Sequence, residues 1–446
     1  MVLLEDSIPT KTAAAEVTQG LPQRVSLGML VAIPGSIAEL ELHDLPIEFV
    51  LFGLTLLGVA LFHKHALAIA VGGLTLLFGY RVGYTDFDFA AHFFGGLDHG
   101  EGEWKLLVNL LGLLLGFALL AKQFEDSHVP ELLPNYLPNG VWGGVSLLGL
   151  VFVMSAFLDN IAAAIIGGTI AKVVYRGKVH LGFLAALVAS SNAGGAGSVV
   201  GDTTTTMLWI EGVSPIQVLP AFIAAAASWV VLAFFAGRQQ HRLQPIASDA
   251  PRDLRVDKGR LLIVVLILIG AIATNIWLDF PALGVWIAIL IGACYRSTGW
   301  HELQGAFKGA LFLLSLVMSA SLMPVDQLPA ATWQTTFGLG FVSSVFDNIP
   351  LTKLALDQGG YDWGLLAFAV GFGGSMVWFG SSAGVAVSNT FSEARSVLMW
   401  LRKGWHVPVA YVVGFMALYL SLGWHPKSPA STSVPDLPSL ENQKDR

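Results

Sequence analysis

Charge is what this chain has least of. Only 12% of its residues are Asp, Glu, Lys or Arg, against about 25% in an average soluble domain. The few charges are clustered, so that many uncharged runs approach the roughly 20 residues needed to cross a bilayer. An ordinary soluble globule is thereby excluded. The runs also lack alternation of apolar and polar residues, which disfavours a membrane barrel. No tract is dense in Lys or Arg and the net charge is −7, so nucleic acid is not an expected partner. A single cysteine, Cys294, rules out an intramolecular disulfide. Residues 1–23 are polar with early acids and lack the basic segment and apolar core of a secretory signal. The expected fold class is an all-α polytopic membrane protein.

The apolar runs contain one polar stretch that occurs twice. Ser155-Ala-Phe-Leu-Asp159-Asn160-Ile161 is matched by Ser343-Ser-Val-Phe-Asp347-Asn348-Ile349. An acid at mid-membrane costs roughly 2.5–3.5 kcal/mol even on lenient insertion scales, so two in matching contexts suggest one site built twice. Residues 141–175 are too long for one span, since a single helix would reach roughly 52 Å. With Asp159-Asn160 near the middle, the segment reads as a re-entrant hairpin, tolerated at depth where protein or a water-filled cavity surrounds it. Residues 332–359 read as a second hairpin, with Asp347-Asn348-Ile349-Pro350 at its tip. Two short core helices with a buried Asp cap are the plainer alternative.

Each hairpin is followed by a span that cannot remain helical throughout. Residues 181–210 contain Ser191-Asn192-Ala-Gly-Gly-Ala-Gly-Ser198 and then Gly201-Asp202-Thr203-Thr-Thr-Thr206. That glycine content predicts an unwound centre flanked by two half-helices. Residues 365–400 read as the second broken span, centred on residues 380–390 with Ser388-Asn389-Thr390. Asp347 lies 188 residues after Asp159, and Asn389 lies 187 after Asp202. The whole order of spans, proline connector, hairpin, broken span and span recurs. Expected boundaries are an N-terminal segment 1–43, repeat 1 at 44–237, a basic linker 238–260, repeat 2 at 261–424 and a tail 425–446. Within the first segment, residues 25–40 are apolar but broken by Pro34-Gly35, which leaves a marginal span and an interfacial helix both open.

Five crossings per half would make the second half upside down relative to the first. With the linker cytoplasmic, Lys64, Lys122, Arg176, Lys178, Arg296, Arg402 and Lys403 fall inside. Arg81 and Lys105 are exceptions near span ends. Asp86, Asp88, His92, Asp98, His99, Glu101 and Glu103 fall outside and read as a solvated loop, their spacing fitting no tight metal pattern. Gly112 and Gly116 have the spacing of a helix-packing pair.

These motifs resemble the ion transporter superfamily, which includes sodium/proton antiporters of the NhaD type, arsenite pumps and citrate or dicarboxylate carriers. The likeness covers about residues 44–424. The 191–206 run looks most like the NhaD-type antiporters, while Ser388-Asn389-Thr390 looks like the signature of sodium-coupled dicarboxylate carriers. The resemblance implies two inverted repeats with re-entrant hairpins, coupling to Na⁺ or H⁺, frequent homodimers and a multi-pass place in the inner (plasma) membrane.

The candidate ion or substrate ligands are Asp159, Asn160, Asn192, Asp202, Thr203, Asp347, Asn348, Ser388, Asn389 and Thr390. Asp, Asn, Ser and Thr supply the oxygen ligands that a hard cation such as Na⁺ takes, and a carboxylate that holds either Na⁺ or H⁺ couples the two. Lys353 is either a partner for a carboxylate, a counter-charge for an anion, or a lysine reaching to the interface. No cofactor is expected beyond the transported Na⁺ and H⁺, and no enzymatic activity. Na⁺/H⁺ antiport is the first expectation and Na⁺- or H⁺-coupled citrate-like transport the second. An intramembrane aspartyl protease using Asp159 and Asp347 is a remote third, and a passive channel also remains open.

Overall fold

The computed structural model describes residues 46–62, 65–96, 100–246 and 255–427. The marginal apolar segment at 25–40 lies outside them, as do Lys64, Asp98 and His99. Most of the described chain is helical. The opening pair is α1 (Ile47–Leu61) and α2 (Ala66–Tyr84), followed by a short α3 (Phe89–Phe94). A two-residue ladder joins β1 (Gly95–Gly96) to β2 (Gly100–Glu101). Then come α4 (Glu103–Glu125), a short α5 (Val129–Leu132), α6 (Val141–Ser155), α7 (Asn160–Val174), α8 (Leu181–Gly195) and α9 (Thr203–Ile210). A one-turn α10 (Pro215–Val218) leads into α11 (Ala221–Leu243).

The same order returns after the linker. It comprises α12 (Lys258–Leu278), α13 (Pro281–Ala293), α14 (Glu302–Ser321), α15 (Trp333–Ser343), α16 (Asn348–Gln358), α17 (Trp363–Gly373) and α18 (Ser382–Thr390). A short α19 (Val397–Lys403) and α20 (His406–Leu422) end it. Among the described residues, five helical stretches are long and apolar enough to cross a membrane, and α19 with α20, taken as one span, make a sixth bent by 62°. The arms α7 and α16 have 15 and 11 residues, about 22 and 16 Å, well short of a hydrocarbon core of about 30 Å.

Packing exchanges the halves consistently. α4 lies on α13 and α14 on α2; α7 lies on α18 and α16 on α9; α11 lies on α17 and α20 on α8. The self-paired contacts α4–α14, α8–α17 and α11–α20 lie between them. Gly112 and Gly116 do serve packing: side chains there would meet Ala282 and Val285 of α13. The backbone approach they permit lets Trp286 donate its indole N–H to the Gly112 carbonyl at 3.0 Å. On the outer surface α12 shows Leu262, Val265, Ile269, Ile272 and Ile276 at helical spacing, while Ile263, Ile267 and Ala271 are buried. An apolar face outward and an apolar face inward is what a lipid-facing helix requires.

The end of the linker is pinned by charge. Asp257 caps α12 through the Gly259 and Arg260 amides, and Arg296 grips its carboxylate at 3.1 Å. That guanidinium holds the Asp257 carboxyl below the usual carboxylate range. Arg260 reaches Gln123 at 2.7 Å and Asp126 at 3.3 Å, tying the linker to the C-terminal end of α4. Lys178 and Lys403 meet the C-terminal end of α11 through Gln240 and Gln239.

The two hairpin crossings share one design. A Cβ at Gly201 would strike the Ser155 carbonyl, and one at Gly380 the Ser344 carbonyl. Gly194 lies against the Phe152 backbone as Gly373 lies against that of Gly340. Gly201→Ala is therefore expected to lower stability by about 1–3 kcal/mol through overpacking. Gly305→Ala, in a helix with open space around it, should stabilise by up to about 1 kcal/mol. Unfolding midpoints in detergent check both, and equal midpoints for the two variants would contradict the close crossing.

Candidate functional site

The repeated tips take the same conformation. Asp159 is the N-cap of α7 with φ −52° and ψ 140°, and its carboxylate accepts from the Ile161 amide at 3.2 Å. Asp347 is the N-cap of α16 with φ −57° and ψ 141°, accepting from the Ile349 amide at 3.0 Å. Each Asp thus sits where backbone N–H groups and the helix dipole favour negative charge. The buried Asp cap weighed as an alternative is present within each hairpin-shaped pair.

The Asn beside each tip carries the connection inward. Asn160 donates its amide to Asp202 Oδ1 at 2.7 Å and to Asn192 Oδ1 at 3.0 Å. Asn192 in turn donates to Ser375 Oγ at 2.8 Å, linking the first broken span to the second. Asn348 donates to Thr204 Oγ1 at 2.8 Å. Asp202 and Thr204 belong to the start of α9, so both tips converge on one half-helix. The charges of Asp159 and Asp347 both act on Asp202.

Asp202 is 2% exposed, and its second oxygen, Oδ2, has no hydrogen-bond partner. Gly371 of α17 backs that oxygen, and a methyl there would stand 3.2 Å from it. Ser155 Oγ is also buried without a partner. A buried carboxylate oxygen without a donor is costly. A bound cation or a proton removes that cost.

Other expected ligands lie elsewhere. Thr203 is only partly buried, and the hydrogen bond to the second tip belongs to its neighbour Thr204. Ser388, Asn389 and Thr390 form the last turn of α18. The Ser388 hydroxyl bonds its own helix at Val385, while Asn389 is exposed and accepts from Arg395. The second break spans residues 377–381, which corrects the centre expected at 380–390. By the Gly201 and Gly380 crossings, the partner of Asp202 is Ser381, 179 residues on, rather than Asn389. Ser381 has nearly the same backbone, φ −139° and ψ 150° against −146° and 142°. Where Asp202 carries a charge, Ser381 carries a hydroxyl that caps its own helix.

Lys353 is 2% exposed and holds two carboxylates, Glu103 and Asp357, each at 2.7 Å. This selects the carboxylate-partner reading of Lys353. Glu103, expected in the solvated outer loop, belongs to the first turn of α4 and is ion-paired. Of that group, Asp88 caps α3 and His92 bonds Ser321. Asp357, one turn from Lys353, was legible from i,i+4 spacing. Thr204 lies within the Thr203–Thr206 run but nothing set it apart from its neighbours, and Ser375 and Glu103 carried no local signal of their partners.

Paired interrupted helices meeting at a buried acidic junction inside an apolar bundle fit the class of secondary transporters. The chain belongs to the CitMHS citrate transporter family, which residues 49–373 match. Among individual proteins it is 28% identical over 398 residues to sodium/proton antiporter 1 of Arabidopsis thaliana, covering 77% of this chain and 66% of that one. It is 26% identical over 372 residues to the Na(+)/H(+) antiporter NhaD of Vibrio parahaemolyticus, covering 69% and 88%. A 46 kDa membrane protein of Mycobacterium leprae is 27% identical over 377 residues, covering 72% and 86%.

Asn160→Ala removes the donor from Asp202 Oδ1 and should cost about 1–3 kcal/mol of stability. Asn389→Ala, at an exposed position, should stay within about 0.5 kcal/mol. Thermal unfolding of the two variants side by side checks this ranking.

Proposed function

We propose that this protein exchanges Na⁺ for H⁺ across the cell inner (plasma) membrane, with Asp202 as the group the two ions compete for. The observation that carries the reading is the unpartnered Oδ2 of Asp202, buried between two acidic tips. The charges of both tips act on Asp202, and in a low-dielectric interior that repulsion is relieved by a cation or by a proton. Oxygen ligands are at hand in Asp202, Ser155 and the carbonyls freed at the break. The names of the Arabidopsis and Vibrio relatives point the same way.

Lys353 supports a cation over an anion. Its charge is already shared by Glu103 and Asp357, so it is not free to neutralise a carboxylate substrate. Citrate-like transport stays as a second reading because the matched family carries that description. A protease dyad is disfavoured because Asp159 and Asp347 each cap a separate helix.

The exchange of packed helices between halves supports two inverted repeats over 44–237 and 261–424. So does the length of the hairpin arms. The shared face of Lys178, Lys403 and the end of α11 supports a cytoplasmic linker. The exposed apolar face of α12 meets lipid or a second copy of the chain.

In vesicles loaded with a pH gradient, added Na⁺ should dissipate the gradient, and Asp202→Asn should abolish the effect. Na⁺ at about 100 times its dissociation constant should also stabilise the detergent-solubilised protein by about 2.7 kcal/mol. Absence of Na⁺-driven proton movement together with gradient-driven uptake of labelled citrate would transfer the assignment to the second reading.

A further inference from the structure

The two ends of α4 are built differently. The helix has 23 residues, about 34 Å from end to end. At its C-terminal end it stands away from α7 across a crevice of about 430 Å³, lined by Lys122, Glu125, Ile165, Thr169 and Val173 and extending to Ala162. Ala162 is three residues from Asp159, so the crevice leads along the first hairpin arm toward the acidic junction. Ile165, Thr169 and Val173 are exposed to it.

At the N-terminal end the second hairpin arm is tied down. Glu103, in the first turn of α4, holds Lys353 in the middle of α16. α16 packs along α14, α9 and α17 rather than along α4. The ion pair is therefore a bridge between elements and not a by-product of their packing. Lys353 has a second carboxylate, Asp357, on its own helix, and the charge of Glu211 at the end of α9 also acts on it. Losing Glu103 would leave Lys353 compensated but no longer anchored to α4.

We propose that Glu103 and Lys353 are positioning residues that close the second access route to the acidic junction while the crevice along α7 holds the first one open. Breaking the bridge releases α16 from α4, and the route beside the second hairpin opens as the first one closes. A transporter that never exposes its site to both sides at once needs such a tie on one side. The inference rests on the transporter reading but not on which ion is carried.

Thiol accessibility tests it. Cys294 is the single cysteine, so Cys294→Ser gives a clean background for Leu107→Cys, one turn inside Glu103 and partly buried, or Thr169→Cys in the crevice. Purified protein in lipid nanodiscs is reacted with a membrane-impermeant maleimide. With the bridge intact, position 169 reacts fast and position 107 slowly. Glu103→Gln should raise the rate at 107 by roughly tenfold, the shift expected from losing one charge-assisted bond, and should lower that at 169. Asp357→Asn should leave both rates within about twofold, because the bridge remains. Unchanged rates in Glu103→Gln, or equal effects of the two substitutions, would overturn the proposal. If Glu103→Gln is not monodisperse, Glu103→Asp, whose shorter arm cannot hold the bond, gives the same reading. A protein that moves no Na⁺ would leave this labelling contrast intact, so the two ideas fail separately.

Discussion

The buried amide of Asn160 is the contact on which the rest depends. It joins a hairpin tip to the carboxylate of Asp202 and to the side-chain oxygen of Asn192 in the interior of the bundle. A carboxylate there is tolerable only if donors, a cation or a proton meet it. The interrupted helices supply what an intact helix cannot: free amides, free carbonyls and room for a polar side chain. The breaks in α8–α9 and between α6 and α7 are therefore not defects in a packed bundle. They are the means by which the bundle holds charge.

Close backbone crossings make those breaks rigid. Glycines 194, 195 and 201 in one half, and 373, 374 and 380 in the other, allow main chain to lie on main chain. A side chain at Gly194, Gly201, Gly373 or Gly380 would separate hairpin from broken span, and one at Gly195 or Gly374 would push apart the two halves of a broken span. The site is thus set by steric contact first and by hydrogen bonding second. The bridge from Glu103 to Lys353 acts at a different level, since it fixes where a hairpin arm stands relative to α4 without touching the junction itself.

Much of this was legible in the sequence. The hairpin tips, the first broken span and the order of elements follow from glycine runs, apolar length and the repeated Asp-Asn-Ile. What failed was the register of the second broken span. Counting a constant spacing assumes equal arms, yet α16 has 11 residues where α7 has 15, and the offset falls from 188 at the tips to 179 at the crossings. Ser388-Asn389-Thr390 then lands at the end of a helix instead of its start. Glu103 was misplaced for another reason: its partner is 250 residues away, and nothing local distinguishes a bridging acid from a solvated one.

The exchange of Asp202 for Ser381 at matching positions has a consequence for how the molecule counts charge. The two breaks share a backbone conformation at this point, and only the first carries a carboxylate there. A mirror-image acid on the other side would create a second basin for the same cargo, and ions could then fill one basin while emptying the other without any turnover of the machine. Under the proposed exchange, a neutral hydroxyl in that place would give each conformational cycle one accounting point and leave no twin basin through which ions could leak.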